Sequence, residues 1–194
     1  QVTNSHGALL LLGFISSSTF IGAYRFSLAI ISICSIVSSS LVTELQRIAS
    51  QYEFSEMIKK KDQFTLINFI ISCLMLFVLI IFYNLQFLFD SLNIDTMIKI
   101  TIMLNLILII KSLFGFPDPI LISRNEESYI SRIFILNAFV FFGVSILYLT
   151  LGGLSAYLVI LMIALIQPST IIFYSKYLYH KYNISSFINF KLNN

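Results

Sequence analysis

Apolar residues run through this chain in long unbroken stretches, separated by short polar joints. From Phe64 to Phe89 there is no charged side chain over 26 residues, and from Ile133 to Ser175 there is none over 43. A helix needs roughly 20 apolar residues to cross a hydrocarbon core about 30 Å thick. The 43-residue run as one helix would measure roughly 65 Å, and Gly152-Gly153 near its middle marks a turn between two helices. Six spans are predicted, at about 7–20, 24–43, 64–89, 96–116, 133–151 and 154–174. The first is short, and the fourth carries Lys99 and Lys111. Membrane strands would alternate apolar and polar over segments of about ten residues, which these runs do not. The pattern predicts an all-α integral membrane bundle of about six transmembrane helices, a single domain over residues 1–194.

The polar joints add detail. In the 44–63 segment, Leu45, Ile48, Ala49 and Tyr52 recur at helical spacing, and Ser55 is placed to cap a helix running through Lys59-Lys60-Lys61. This segment is predicted to be a helical elbow outside the bilayer, its three lysines able to contact anionic membrane lipid at about 1 kcal/mol each. Pro117 and Pro119 read as a helix stop. Pro168 falls inside the sixth span, where it should kink the helix or free a carbonyl.

Charge gives the spans a direction. Ten of the twelve Lys and Arg lie in or beside three joints, 44–63, 118–132 and the tail after Ser175. The opposite joints hold none, with only Arg25 and Lys99 close by. By the positive-inside rule the basic joints and the C-terminus are expected in the cytoplasm. The Asn183-Ile184-Ser185 sequon then falls on the cytoplasmic side and is discounted.

Composition agrees. The chain is 58% hydrophobic and 11% charged, with a mean hydropathy of +0.91, where an ordinary globular domain is about 25% charged. The net charge of +3 is not clustered as a nucleic-acid footprint would be, so no nucleic-acid partner is expected. Cys34 and Cys73 sit inside apolar runs and read as packing residues. The chain opens on Gln1 without the basic start or cleavage site of a signal peptide. It is expected to be a C-terminal fragment of a longer protein.

Catalytic chemistry is hard to place. His6 and His180 lie near the termini, and no carboxylate falls in an uncharged run. There is no paired acid, no HExxH, no phosphate-cradling glycine loop and no Ser/His/Asp set. An enzyme is therefore not expected, nor a catalytic residue, metal or cofactor. What remains are polar groups within spans, which face a bundle interior or a watery cavity more often than lipid. Arg25, beside Tyr24 at the start of the second span, reads either as an anion contact at a cavity mouth or as a snorkelling interfacial arginine. Lys111 reads either as a snorkelling lysine or as the lining of a transport path. Ser32, Ser35, Ser39 and Thr43, spaced three, four and four, form a stripe. The stripe suits a hydrophilic cavity wall, or close helix packing. Asn68, Asn105, Asn137 and Gln167 read as single interhelical hydrogen-bonding residues.

The order of features resembles the C-terminal half of bacterial polysaccharide and O-antigen flippases, members of the multidrug/oligosaccharidyl-lipid/polysaccharide exporter superfamily. The pieces that carry the resemblance are Leu9-Leu10-Leu11-Leu12-Gly13-Phe14, then Ile21-Gly22-Ala23-Tyr24-Arg25-Phe26-Ser27-Leu28-Ala29. Leu41-Val42-Thr43-Glu44-Leu45 follows, with Thr43 where the family usually has proline, and then the basic elbow. Ser112-Leu113-Phe114-Gly115-Phe116-Pro117 and the closing hairpin around Gly152-Gly153 complete the set. The resemblance covers about residues 9–182. It implies one half of a two-repeat transporter that moves an undecaprenyl-pyrophosphate-type lipid-linked oligosaccharide across the bacterial inner membrane by alternating access. The partner implied is the missing N-terminal half of the same protein. Arg25, Tyr24, Ser32, Ser35, Ser39 and Lys111 are then the candidate substrate-binding residues. The alternatives are a drug/cation antiporter of similar architecture, which would want an intramembrane acid, and a non-transport scaffold of polysaccharide assembly.

Overall fold

The computed structural model describes residues 12–13, 16–51, 54–85, 92–151 and 155–187. Every regular element among them is a helix: α1 (Ser18–Gln51), α2 (Phe54–Leu85), α3 (Leu92–Leu113), α4 (Pro117–Ser123), α5 (Glu127–Leu151) and α6 (Ala156–Tyr182). All except α4 are long and apolar enough to cross a membrane. The chain is an all-α membrane bundle. Residues 7–11, 14 and 15 of the predicted first span, the Gly152-Gly153 turn and residues 52–53 of the elbow lie outside the described residues, and residues 18–20 of that span already belong to α1.

Two differences from the expected elements have physical causes. The elbow is made from the projecting ends of α1 and α2. At 34 and 32 residues these helices measure about 51 and 48 Å, well beyond a hydrocarbon core. No breaker interrupts residues 44–51, and Arg47 pairs with Glu44 one turn away, so the helical ladder continues past the apolar run. The second difference is α4. Pro117 and Pro119 do stop α3, but they also begin a new helix. Proline suits the first helical turn because its φ is preset and its missing N–H has no helical partner there. Pro117, Pro119, Ile120 and Leu121 of α4 are all buried.

The core divides into two clusters at opposite ends of the bundle. One joins Ala23, Tyr24 and Ile31 of α1 to Ile100 and Leu104 of α3 and Val159, Ile160 and Ile163 of α6. The other joins Leu45 and Ile48 of α1, Met57 of α2, Ile120 and Leu121 of α4, and Tyr174 and Leu178 of α6. The basic joints gather around this second cluster. Polar bonds stitch the helices between them. Ser27 donates to the Met97 carbonyl at 2.9 Å, Ser38 to Asn68 Oδ1 at 2.5 Å, and Asn105 Nδ2 to the Ser72 carbonyl at 3.0 Å. Asn137 Nδ2 donates to Thr170 Oγ1. Such bonds average about 0.6 kcal/mol in a membrane. They give Asn68, Asn105 and Asn137 the interhelical role expected of them.

The basic end is closed by the segment after α6. Asn183, in the left-handed region at φ 55°, ends the helix. The chain then passes beneath α2 and α3. Lys61, only 2% exposed, donates to the Ser185 carbonyl at 2.6 Å and pairs with Asp62. Of the three elbow lysines, therefore, Lys59 and Lys60 are exposed while Lys61 is spent inside the fold. Beside this segment, Glu126 accepts from Lys181, Tyr177 and Tyr182, which clamps the start of α5 to the end of α6.

Candidate functional site: a polar stripe on the outward side of a helix

The faces turned away from the core differ in kind. On α2 the exposed positions include Ile67, Ile70, Leu74 and Phe77; on α5 they include Phe134, Phe139 and Phe142, with Phe139 73% exposed. On α6 they include Leu161, Met162 and Phe173. Exposed apolar surface on this scale is foreign to water-facing monomers and suits lipid. The outward face of α1 is different. Gly22, Arg25, Ala29, Ser32, Ser39, Ser40, Thr43 and Arg47 are exposed there, interleaved with the equally exposed apolar Phe26, Ile33 and Ile36, so a polar stripe runs through an otherwise apolar helix side. That side lies opposite Ala23, Tyr24, Ser27, Ile31 and Cys34, which are buried.

The hydroxyls of this face are anchored to their own helix. Ser32 donates to the Ala29 carbonyl at 2.6 Å, Ser39 to Ile36 at 2.8 Å, Ser40 to Ile36 at 3.0 Å and Thr43 to Ser39 at 3.0 Å. Each hydroxyl has one proton to donate and two lone pairs to offer. With the proton spent inward, the face presents acceptors outward. Arg25 supplies the donors: it is exposed and has no hydrogen bond or ion pair to any described residue. Two predicted site residues stand elsewhere. Tyr24 is 3% exposed and packs in the first core cluster, on the side of α1 away from Arg25. Ser35 is half-buried at the edge of the face, its hydroxyl turned to the Ile31 carbonyl at 3.4 Å.

Lys111 is placed apart from this face, in the last turn of α3. It is partly accessible, and no acidic oxygen lies within 4.0 Å of its ammonium among the described residues. The carboxylate whose charge it feels is Asp118, in the first turn of α4, reached across the tight Gly115 turn. Asp118 is exposed on α4, and the protein beside it pushes its carboxyl up from the ordinary value by desolvation. Lys111 and the Asp118 amide oppose that push. Tyr174 of α6 also feels the Asp118 charge. Asp118 was absent from the sequence-derived candidates because it follows the apolar run, in what reads as a loop. The available signal was a carboxylate held between two prolines and followed by Ile-Leu-Ile.

An apolar groove of about 420 Å³ lies between α1, α2 and α3, lined by residues such as Phe26, Val78, Phe82 and Met97. Among the described residues its one polar side chain is Thr101, which donates to the Met97 carbonyl. In comparisons with protein-family models, curated proteins and solved structures, the chain has no significant match.

Proposed function

We propose that this chain forms one half of a transporter that carries a lipid-linked oligosaccharide, of the undecaprenyl-pyrophosphate type, across the bacterial inner membrane by alternating access. The observation that carries the reading is the outward face of α1. Serine, threonine and an arginine with no partner among the described residues, turned outward from a membrane helix, are costly in lipid. They suit one wall of a hydrated cavity, closed on its far side by a second half. Rocking of two such halves about a central site is a common transporter mechanism. Arg25 is the phosphate contact, since a guanidinium donates in a planar fork that matches phosphate. Ser32, Ser39 and Thr43 offer acceptors to sugar hydroxyls. Tyr24 and Ser35 act from behind, Tyr24 by packing the helix that presents Arg25. The basic end of the bundle faces the cytoplasm, by the charge rule.

The test is complementation, in a bacterium lacking its own lipid-linked oligosaccharide flippase, by the complete protein that carries this chain. A charge-assisted hydrogen bond is worth about 1.5–3 kcal/mol. Arg25→Ala, at unchanged expression, is expected to lower surface polymer by roughly ten- to a hundred-fold. Failure of well-expressed wild type across several glycan backgrounds would contradict the reading and favour the antiporter or the scaffold.

A further inference from the structure

We propose that the apolar groove between α1, α2 and α3 holds one acyl chain of an anionic phospholipid of the surrounding bilayer, whose phosphate sits on Arg25. The groove has a floor and a rim. Leu79 of α2 and Ile98 and Thr101 of α3 are buried and form the floor, while Phe26 of α1 and Val78 and Phe82 of α2 are exposed and form the rim. Thr101 donates to the Met97 carbonyl, so the floor asks nothing polar of its occupant. The rim opens away from the core, and outward from a membrane bundle lies lipid. The volume of about 420 Å³ falls in the range of ligand-sized pockets, about 300–1,000 Å³.

Length points to a lipid chain rather than to a partner helix. The lining runs from Met75 to Phe82 on α2 and from Ile94 to Thr101 on α3, each about 10 Å of helix. One leaflet of the hydrocarbon core is about 15 Å deep, so the groove fits within a single leaflet. Two turns beyond its inner end, α1 and α2 close on each other where Ser38 donates to Asn68. A docked helix needs a seam that continues along the bundle; a chain entering from one leaflet does not.

Register sets the head end. Ser27 of α1 donates to the Met97 carbonyl of α3. Arg25 stands two residues before Ser27, about 3 Å nearer the start of both helices. That puts it level with Asp95 and the ion pair that Asp95 makes with Lys99. Phe26, the next residue, is already the rim of the groove. Guanidinium and groove therefore meet at one level, as the phosphate and chains of a phospholipid do. The α1 surface beside Arg25 is clear: Gly22 and Ala29 flank it by one turn each, and nothing lies within 4 Å of where a Gly22 side chain would begin. Arg25 has no hydrogen bond or ion pair to any described residue, so its planar fork is open to phosphate. With Lys99 answered by Asp95, the unanswered charge at this rim is Arg25. A zwitterionic head would bring its own cation to that place; an anionic head answers Arg25 without one. In the transport reading, the substrate's phosphate must displace this lipid. That consequence rests on the function proposed above; the lipid site does not.

The experiment is photocrosslinking of the purified chain in phosphatidylcholine nanodiscs. These are doped with lipids that carry the same diazirine-bearing acyl chain on phosphatidic acid, on phosphatidylcholine or on diacylglycerol. Adducts are mapped by mass spectrometry at Leu79 and Met97 in the groove, and at Phe139, exposed on α5, as the control. Phosphatidic acid is expected to label the groove roughly five-fold more than diacylglycerol, as one basic residue at a membrane surface allows, with phosphatidylcholine between them. No head preference is expected at Phe139. Arg25→Gln should abolish the preference in the groove, and Arg25→Lys should keep part of it. Val78→Trp, which narrows the rim, should lower labelling of Met97 by all three lipids. Circular dichroism checks each variant for folding, and if Val78→Trp does not fold, the arginine variants alone decide. Phosphatidic acid labelling of the groove no stronger than that by either other lipid, or no stronger than at Phe139, would overturn the proposal. A preference that survives Arg25→Gln would overturn it too. Head preference beside failed complementation would sink the transport reading and leave this one standing; complementation without head preference would do the reverse.

Discussion

Gly115 shows how much can depend on one backbone position. Its φ of +66° lies in the left-handed region, and a Cβ there would meet the Ser186 carbonyl oxygen and Thr65 Oγ1, each at 2.7 Å. The turn between α3 and α4, the start of α2 and the segment after α6 all converge on it. The left-handed conformation alone costs a side chain about 1–2 kcal/mol, and both close neighbours must also shift. Gly115→Ala is expected to lower the thermal denaturation midpoint of the purified protein in detergent, whereas Gly143→Ala, with open space around it, is not. Glu126 makes a second prediction. Hydrogen bonds from Lys181, Tyr182 and Tyr177 hold its carboxyl down, at about 2. The unfolded carboxyl titrates near 4.3, so the stability contributed by this group is present above that value and lost as pH falls from about 4.3 towards 2. The thermal-midpoint difference between wild type and Glu126→Gln should therefore be constant above about pH 5 and shrink through that window. A difference independent of pH would contradict the assignment. Residues such as Glu126, Lys61 and Asp118 were not legible as a set in the sequence. Their partners lie seven to 124 residues away, and only the fold brings them together.

At the scale of helices, much was legible. Uncharged runs mark α2, α5 and α6 because lipid tolerates little else, and the described helices overlie five of the six predicted spans. Boundaries were less legible, because the apolar run records where lipid ends while the helix continues into water, as α1 and α2 do. Helix α4 was missed because proline stops one helix and starts another with the same preset φ. The serine stripe on α1 was readable by spacing, but its facing was not. The periodicity that groups Ser32, Ser35 and Ser39 cannot say which side meets the core. Packing places Ser35 at the edge and Tyr24 inside, leaving Arg25, Ser32, Ser39 and Thr43 outward. The same limit holds for Lys111, whose snorkelling and lining readings the sequence could not separate; the structure places it half-buried in the last turn of α3.

Taken as a whole, the described part of the molecule is a bundle with two core clusters, a belt of exposed Phe, Ile and Leu, and on α1 a stripe of hydroxyls with Arg25 set among exposed Phe26, Ile33 and Ile36. The transport account stands on that stripe being wet while its neighbours are dry. The most direct test is to replace Ser32, Ser39 and Thr43 one at a time by cysteine, with Leu74 and Phe139 as controls, after Cys34 and Cys73 have been changed to alanine. Each variant of the complete protein is then labelled in intact membranes with a hydrophilic thiol reagent. The account predicts rapid labelling at 32, 39 and 43 and slow labelling at 74 and 139. Labelling at the α1 positions as slow as at the controls would mean that lipid or tightly packed protein covers this face, and would contradict the account.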